Sequence, residues 1–197
     1  MLVFKIILIA CTVIAVVSVV WGSLKTGIVP MPSSRKALQA ILASAEVKGE
    51  GQIIDLGSGW GTLTTALARK YPGRQVIGYE LSFVPWLVSL GLKHVFCLRN
   101  LSVYYRDFLD ADLSKAALLF CYLSPEGMFL LQKKIEEEQL EDFVIVSNTF
   151  AMASYQPERV IRLGDIYRTP VYVYRFFPKY LDSLNSTCRL KKNSRIL

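Results

Sequence analysis

The stretch Ile53-Ile54-Asp55-Leu56-Gly57-Ser58-Gly59-Trp60-Gly61-Thr62 constrains this chain more than any other part of it. An apolar run from Gln52 to Leu56 passes directly into three glycines at alternate positions. Leu63, Leu67 and Ala68 then recur at the spacing of one helix face, up to Lys70. That succession predicts a buried strand, a tight turn and a helix N-terminus. Glycines at such a turn let a ligand approach the backbone, where side chains would stand in the way. The free N–H groups and the dipole at the start of the helix favour an anionic or polar ligand group.

A second apolar run, Gln75-Val76-Ile77-Gly78-Tyr79, follows about 25 residues on and ends in Glu80. An acid at the tip of the second strand of a doubly wound sheet can accept both hydroxyls of a ribose. Ser82 to Leu92 reads as a short helix carrying Val84, Trp86, Leu87 and Leu90, and Val95-Phe96-Cys97-Leu98 as the third strand. Ala116 to Cys121, apolar throughout, is the fourth strand, as expected of one covered on both faces. It runs into Tyr122-Leu123-Ser124-Pro125. Met128 to Leu140 predicts an amphipathic helix, and Phe143 to Ser147 the fifth strand. Val160 to Leu163 and Val171 to Phe176 make a closing pair around Gly164-Asp165, with little room for a helix before them. The expected fold is α/β: a doubly wound, Rossmann-like, mostly parallel sheet with an antiparallel closing strand.

The nicotinamide fingerprint G-x-G-x-x-G would need glycine at Thr62 and is not met. The sequence D-x-G-x-G-x-G instead resembles the first motif of the class I S-adenosylmethionine-dependent methyltransferases. The resemblance implies S-adenosylmethionine as cofactor, with Asp55, Gly57, Ser58, Gly59, Gly61 and Glu80 around it. Ser102 to Phe108 ends a loop at about the place where such sheets hold an adenine. There Asp107 can accept from the adenine amino group, with Phe108 or Tyr105 stacking; a solvated loop acid beside Asp110 and Asp112 is the competing reading. Ligands of open α/β sheets sit at the carboxyl ends of the strands where the strand order reverses. Tyr122 and Ser124 are therefore the candidate catalytic residues, near the methyl group to be transferred.

Ile6 to Trp21 is an apolar run of about 16 residues, roughly 24 Å as a helix. Leu2, Val3 and Phe4 lengthen it if Lys5 snorkels, and Trp21 suits the far interface. One membrane anchor is expected, in preference to a cleaved signal peptide, because no small-x-small site ends a short apolar core. Net charge is +7, but residues 1–36 and the tail from Asn185 hold only basic charges. All 16 acids lie in between, where the balance is close to neutral. Basic ends of this kind lie against anionic lipid, and no basic stripe interleaved with aromatics marks a nucleic-acid surface. Lys25, Arg35 and Lys36 after the span place the domain on the cytoplasmic side. Four cysteines without a C-x-x-C and a single histidine, His94, support neither a metal site nor a disulfide framework. Cys97 and Cys121 are expected in the core, and His94 at the surface.

Anchor, Val29-Pro30-Met31-Pro32, D-L-G-S-G-x-G, Gly78-Tyr79-Glu80-Leu81, Trp86-Leu87-Val88 and a Glu-rich helix before the fifth strand occur together here. In that combination the chain resembles the membrane-anchored lysine methyltransferases of mitochondria and their bacterial relatives. Those enzymes modify the c subunit of ATP synthase or the adenine nucleotide carrier. The resemblance implies a monomeric enzyme whose acceptor is embedded in the membrane, the mitochondrial inner membrane in a eukaryote. A protein lysine is favoured; a lipid head group, a quinone precursor or a non-catalytic assembly role remain as alternatives. The expected organisation is an anchor at 1–24, a pre-motif segment with a helix at 25–45, the methyltransferase domain at 46–180 and a basic tail at 181–197. The Pro30–Pro32 segment either ends the anchor or folds over the cofactor mouth, with Ser33 or Ser34 capping the helix that follows.

Overall fold

A computed structural model describes residues 1–27, 35–44 and 50–177. The Pro30–Pro32 segment, the Ser33 or Ser34 cap and the basic tail lie outside the described residues. The first helix, α1 (Leu2–Thr26), closes on Gly27, whose φ of 67° is left-handed and whose N–H donates to the Ser23 carbonyl. Leu2–Leu24 is long and apolar enough to cross a bilayer by length and composition, near the N-terminus, where a signal sequence passes the same test. Helix α2 (Arg35–Ser44) buries Ile41.

Seven strands then form one sheet in the order β3-β2-β1-β4-β5-β7-β6. The strands are β1 (Gln52–Leu56), β2 (Val76–Glu80), β3 (Leu101–Tyr105), β4 (Ala116–Cys121), β5 (Phe143–Asn148), β6 (Arg159–Arg162) and β7 (Pro170–Phe176). The first five are parallel; β7 runs antiparallel between β5 and β6. Helices α3 (Thr62–Lys70) and α4 (Phe83–Val95) connect β1, β2 and β3, and α5 (Pro125–Glu137) connects β4 to β5. Every residue of β2 and of β4 is buried, as parallel strands clad on both faces must be. One face packs Leu67 and Ala68 of α3 with Ile41 and Trp86; the other packs Met128, Leu131 and Ile135 of α5 with Leu56 and Tyr79. Seven such strands with helices on both faces are the expected doubly wound architecture.

Three local expectations need correction. Val95-Phe96-Cys97-Leu98 is not a strand: α4 continues to Val95, and the Phe96, Cys97 and Leu98 amides fold back onto Leu92, His94 and Lys93 carbonyls. A run of four apolar residues cannot by periodicity be told from a helix end. The third strand is Leu101–Tyr105, in register with β2 through Val76↔Leu101 and Gly78↔Val103. Cys97 is consequently exposed, with a left-handed φ of 50°, while Cys121 is buried as expected. Finally, α5 begins at Pro125 rather than Met128, because Ser124 caps it and proline suits the first helical position, and it ends at Glu137. His94 is exposed.

Candidate active site

The strand order reverses between β1 and β4, and the cleft opens at their carboxyl ends. Gly57, Gly59 and Gly61 all have positive φ, at 78°, 53° and 76°. The turn is pinned to β2, since the Gly57 and Ser58 amides both donate to the Tyr79 carbonyl at 3.0 and 2.8 Å. Gly61 is the N-cap of α3 and makes no side-chain cap bond. A Cβ on Gly61 would lie 2.5 Å from the Ser89 hydroxyl and 3.0 Å from the Ser89 Cα, so this glycine lets α3 and α4 meet. A Cβ on Gly57 would meet only Leu123 Cδ2, at 3.5 Å. That side of the backbone faces open space.

Glu80, at the tip of β2, is buried and engages the turn directly. Its Oε2 accepts from the Gly59 amide and its Oε1 from the Ser82 amide, both at 2.7 Å. Each oxygen keeps a further lone pair. Asp55 is buried one strand away and accepts from the Thr64 hydroxyl at 2.8 Å. Burial pushes its carboxyl up to about 7, the Thr64 hydrogen bond opposing the rise and the Glu80 charge adding to it. Cys121 also lines the cleft, but burial raises its thiol to about 12, which leaves it without nucleophilic thiolate at neutral pH.

The cleft has a volume of about 970 Å3, counted to its open mouth. It brings together Asp55, Gly57, Ser58, Gly59, Glu80, Phe108, Tyr122 and Ser124. Gly61 and Asp107 do not line it. Gly61 is occupied with α4, and Asp107 caps the short 3-10 turn Phe108–Asp110 by accepting from the Leu109 amide at 3.0 Å. Tyr105 is exposed and packs on Phe83 and Trp86 instead. The Ser124 hydroxyl oxygen accepts from the Gly127 amide as the cap of α5. Tyr122 stacks on Phe150 with ring centroids 6.3 Å apart.

The sequence reading missed Asn148 at the end of β5. It lines the cleft, and its Oδ1 is buried with no hydrogen-bond partner among the described residues; the same holds for Ser58 Oγ. Unpaired buried polar atoms are costly and rare, so two on the walls of one cleft point to a polar ligand. The signal was available, for Asn148 ends a strand beside the reversal point as Tyr122 does. Near the mouth, Ser82 and Ser124 lie against the end of α1: Cβ atoms on Gly22 and Gly27 would come 1.9 Å from Ser82 Oγ and 3.4 Å from Ser124.

A model of the ANTKMT methyltransferase domain matches residues 55–159, from the cleft's aspartate to the start of β6. The chain belongs to this methyltransferase family. Two relatives are similar to it in sequence. The adenine nucleotide translocase lysine N-methyltransferase of Mus musculus is 31% identical over 117 residues, 58% of this chain and 50% of the relative. The Homo sapiens lysine N-methyltransferase of the ATP synthase c subunit is 26% identical over 137 residues, 68% of this chain and 57% of the relative. The chain thus spans about half the length of the one and somewhat more than half of the other. Among solved structures, an RNA methyltransferase from Salinibacter ruber in complex with S-adenosyl-L-homocysteine superposes with a TM-score of 0.66 at 23% identity. It covers 76% of this chain and 95% of its own, a likeness of fold.

Proposed function

We propose that this protein is an S-adenosylmethionine-dependent methyltransferase that methylates the side-chain amine of a lysine in a membrane protein, with α1 as its anchor. The observation that carries the reading is the cleft itself, where an open glycine turn, the Glu80 carboxylate and two unpartnered buried polar atoms converge. These groups fit the cofactor. The free lone pairs of Glu80 suit ribose hydroxyls, and Ser58 Oγ and the Asp55 carboxylate suit the amino-acid part. When bound, S-adenosylmethionine supplies a methyl group already activated on a sulfonium.

The chain's own residues then have positional tasks. Glu80 holds the ribose and, through the Gly59 amide, the shape of the turn. Asn148 Oδ1 accepts from the incoming amine, and Tyr122 beside it sets the direction of approach. Leu81, Leu123 and Phe108 line the same cleft and exclude water, which favours the neutral amine by penalising the ammonium form. The preference for lysine is supported by the two relatives, both lysine N-methyltransferases, and the membrane acceptor by the apolar α1.

The test is incubation of membranes containing the full chain with methyl-labelled cofactor, then separation of protein from lipid. Label recovered as methyl-lysine supports the proposal. Label in lipid rejects the lysine acceptor, and no label above that of membranes lacking the protein rejects catalysis.

A further inference from the structure

Helix α1 does not stand clear of the domain. The Ser18 hydroxyl accepts from the Val84 amide at 3.1 Å, and Gly22 is buried where a side chain would run into Ser82. Ser82 itself makes no side-chain cap bond at the start of α4, so α1 caps α4 in its place. Small residues let the two helices approach this closely. Ser18 lies six residues before Leu24, the end of the apolar segment, which is ~9 Å along the helix. If that segment is in lipid, the first turn of α4 must enter the bilayer to a similar depth.

The outward face of α4 suits that position. Phe83 is 45% exposed, Leu87 48% and Val95 73%, a stripe at four-residue multiples. Phe83, Trp86 and Tyr105 form a ring cluster with centroids 5.7 to 5.9 Å apart, of the kind found at membrane interfaces. From residue 81 to 106 the chain has Lys93, Arg99 and Arg106 and no acid. On the other face of the sheet, α5 and the turn after it carry six acids against two lysines.

We propose that α4 lies in the headgroup–acyl boundary beside α1, the two helices forming the lipid-facing side of the protein. An interfacial helix sinks its apolar face by roughly 5–10 Å, which matches the depth set by Ser18. Basic residues around it meet anionic headgroups. Because Ser82 begins α4 and also lines the cleft, the cleft opens at headgroup level, and the acceptor lysine is one lying at the membrane surface. The inference rests on α1 being a membrane span.

The test uses the full chain in vesicles of phosphatidylcholine and phosphatidylglycerol, with p-benzoylphenylalanine placed at Phe83, Leu87 or Phe129. Phe129 is 60% exposed on α5 and serves as the control. On illumination, lipid adducts at positions 83 and 87 should exceed those at 129 by roughly tenfold. Equal adduct at all three positions, or adducts of doubled protein mass at 83 and 87, would overturn the inference, the latter by showing a second copy on this face. Alkaline carbonate washing separates the premise from the conclusion. Protein released by the wash refutes the span, whereas retained protein without lipid adduct at 87 refutes the placement of α4 alone.

Discussion

Asp55→Asn should stabilise the ligand-free protein at alkaline pH. Asp55 titrates at about 7 in the fold against 3.8 for an unperturbed aspartate, burial being the main cause. Between those values the folded state holds a proton that the unfolded chain has already released. The group's favourable contribution is therefore complete below ~pH 4, and it is lost as pH rises through 7. Roughly three pH units at about 1.4 kcal/mol each give ~4 kcal/mol in all. Asparagine is a neutral isostere whose amide oxygen still accepts from Thr64, so the variant lacks this slope. On a domain of this size each kcal/mol moves the melting midpoint by ~2–4 °C. The variant should melt ~10 °C above wild type near pH 8, and the gap should close steadily as pH falls towards ~4, by scanning fluorimetry in detergent. Parallel melting curves across that range, or a variant that melts lower at pH 8, would refute the assignment of the buried proton to Asp55.

Other outcomes follow from the same geometry. Glu80→Ala removes the acceptor of two backbone amides, so it should lower stability by ~2–4 kcal/mol as well as abolish cofactor binding; calorimetry below the variant's own melting range separates the two effects. Gly22→Val places a methyl-bearing carbon against the Ser82 hydroxyl and should part α1 from α4. Methylation should then drop at least tenfold with the protein still membrane-bound, and wild-type rates would show that this docking is dispensable. Maleimide at neutral pH should label Cys97 in the native protein and spare Cys121 until denaturant is added, as read by peptide mapping.

How much of this was legible in the sequence varies with the range of the interaction responsible. The strand–turn–helix around Gly57 and the placement of Glu80 were legible because local backbone requirements determine both. β4 was legible because six apolar residues between polar ends fit only a strand clad on both faces. Val95-Phe96-Cys97-Leu98 misled because its apolar side chains belong to an exposed helix end, and exposure is a tertiary property. Asp107 is likewise drawn to a local cap that its spacing from Leu109 permits, which the reading of a ligand-facing loop did not weigh. The place of Asn148 at a strand end beside the reversal point was legible, but its unpartnered Oδ1 emerges only from the folded cleft. The seat of α1 on α4 was written in Ser18 and Gly22, two small residues that an apolar average conceals.

The sheet also has a seam. Residues 52–105 supply β3, β2 and β1, residues 116–176 supply β4, β5, β7 and β6, and within each half every ladder joins strands close in sequence. Only β1 and β4 pair across the halves, joining residues roughly sixty positions apart, such as Gln52 and Ala116. Closing that loop costs about 1 kcal/mol more entropy than closing the ladders within a half. During folding each half can assemble on its own, but until they meet, β1 and β4 each present an unpaired apolar edge open to the wrong partner. A nascent chain that stalls after residue 115 keeps the β1 edge without its β4 partner. The cleft straddles this seam, so it exists only once the two halves have joined.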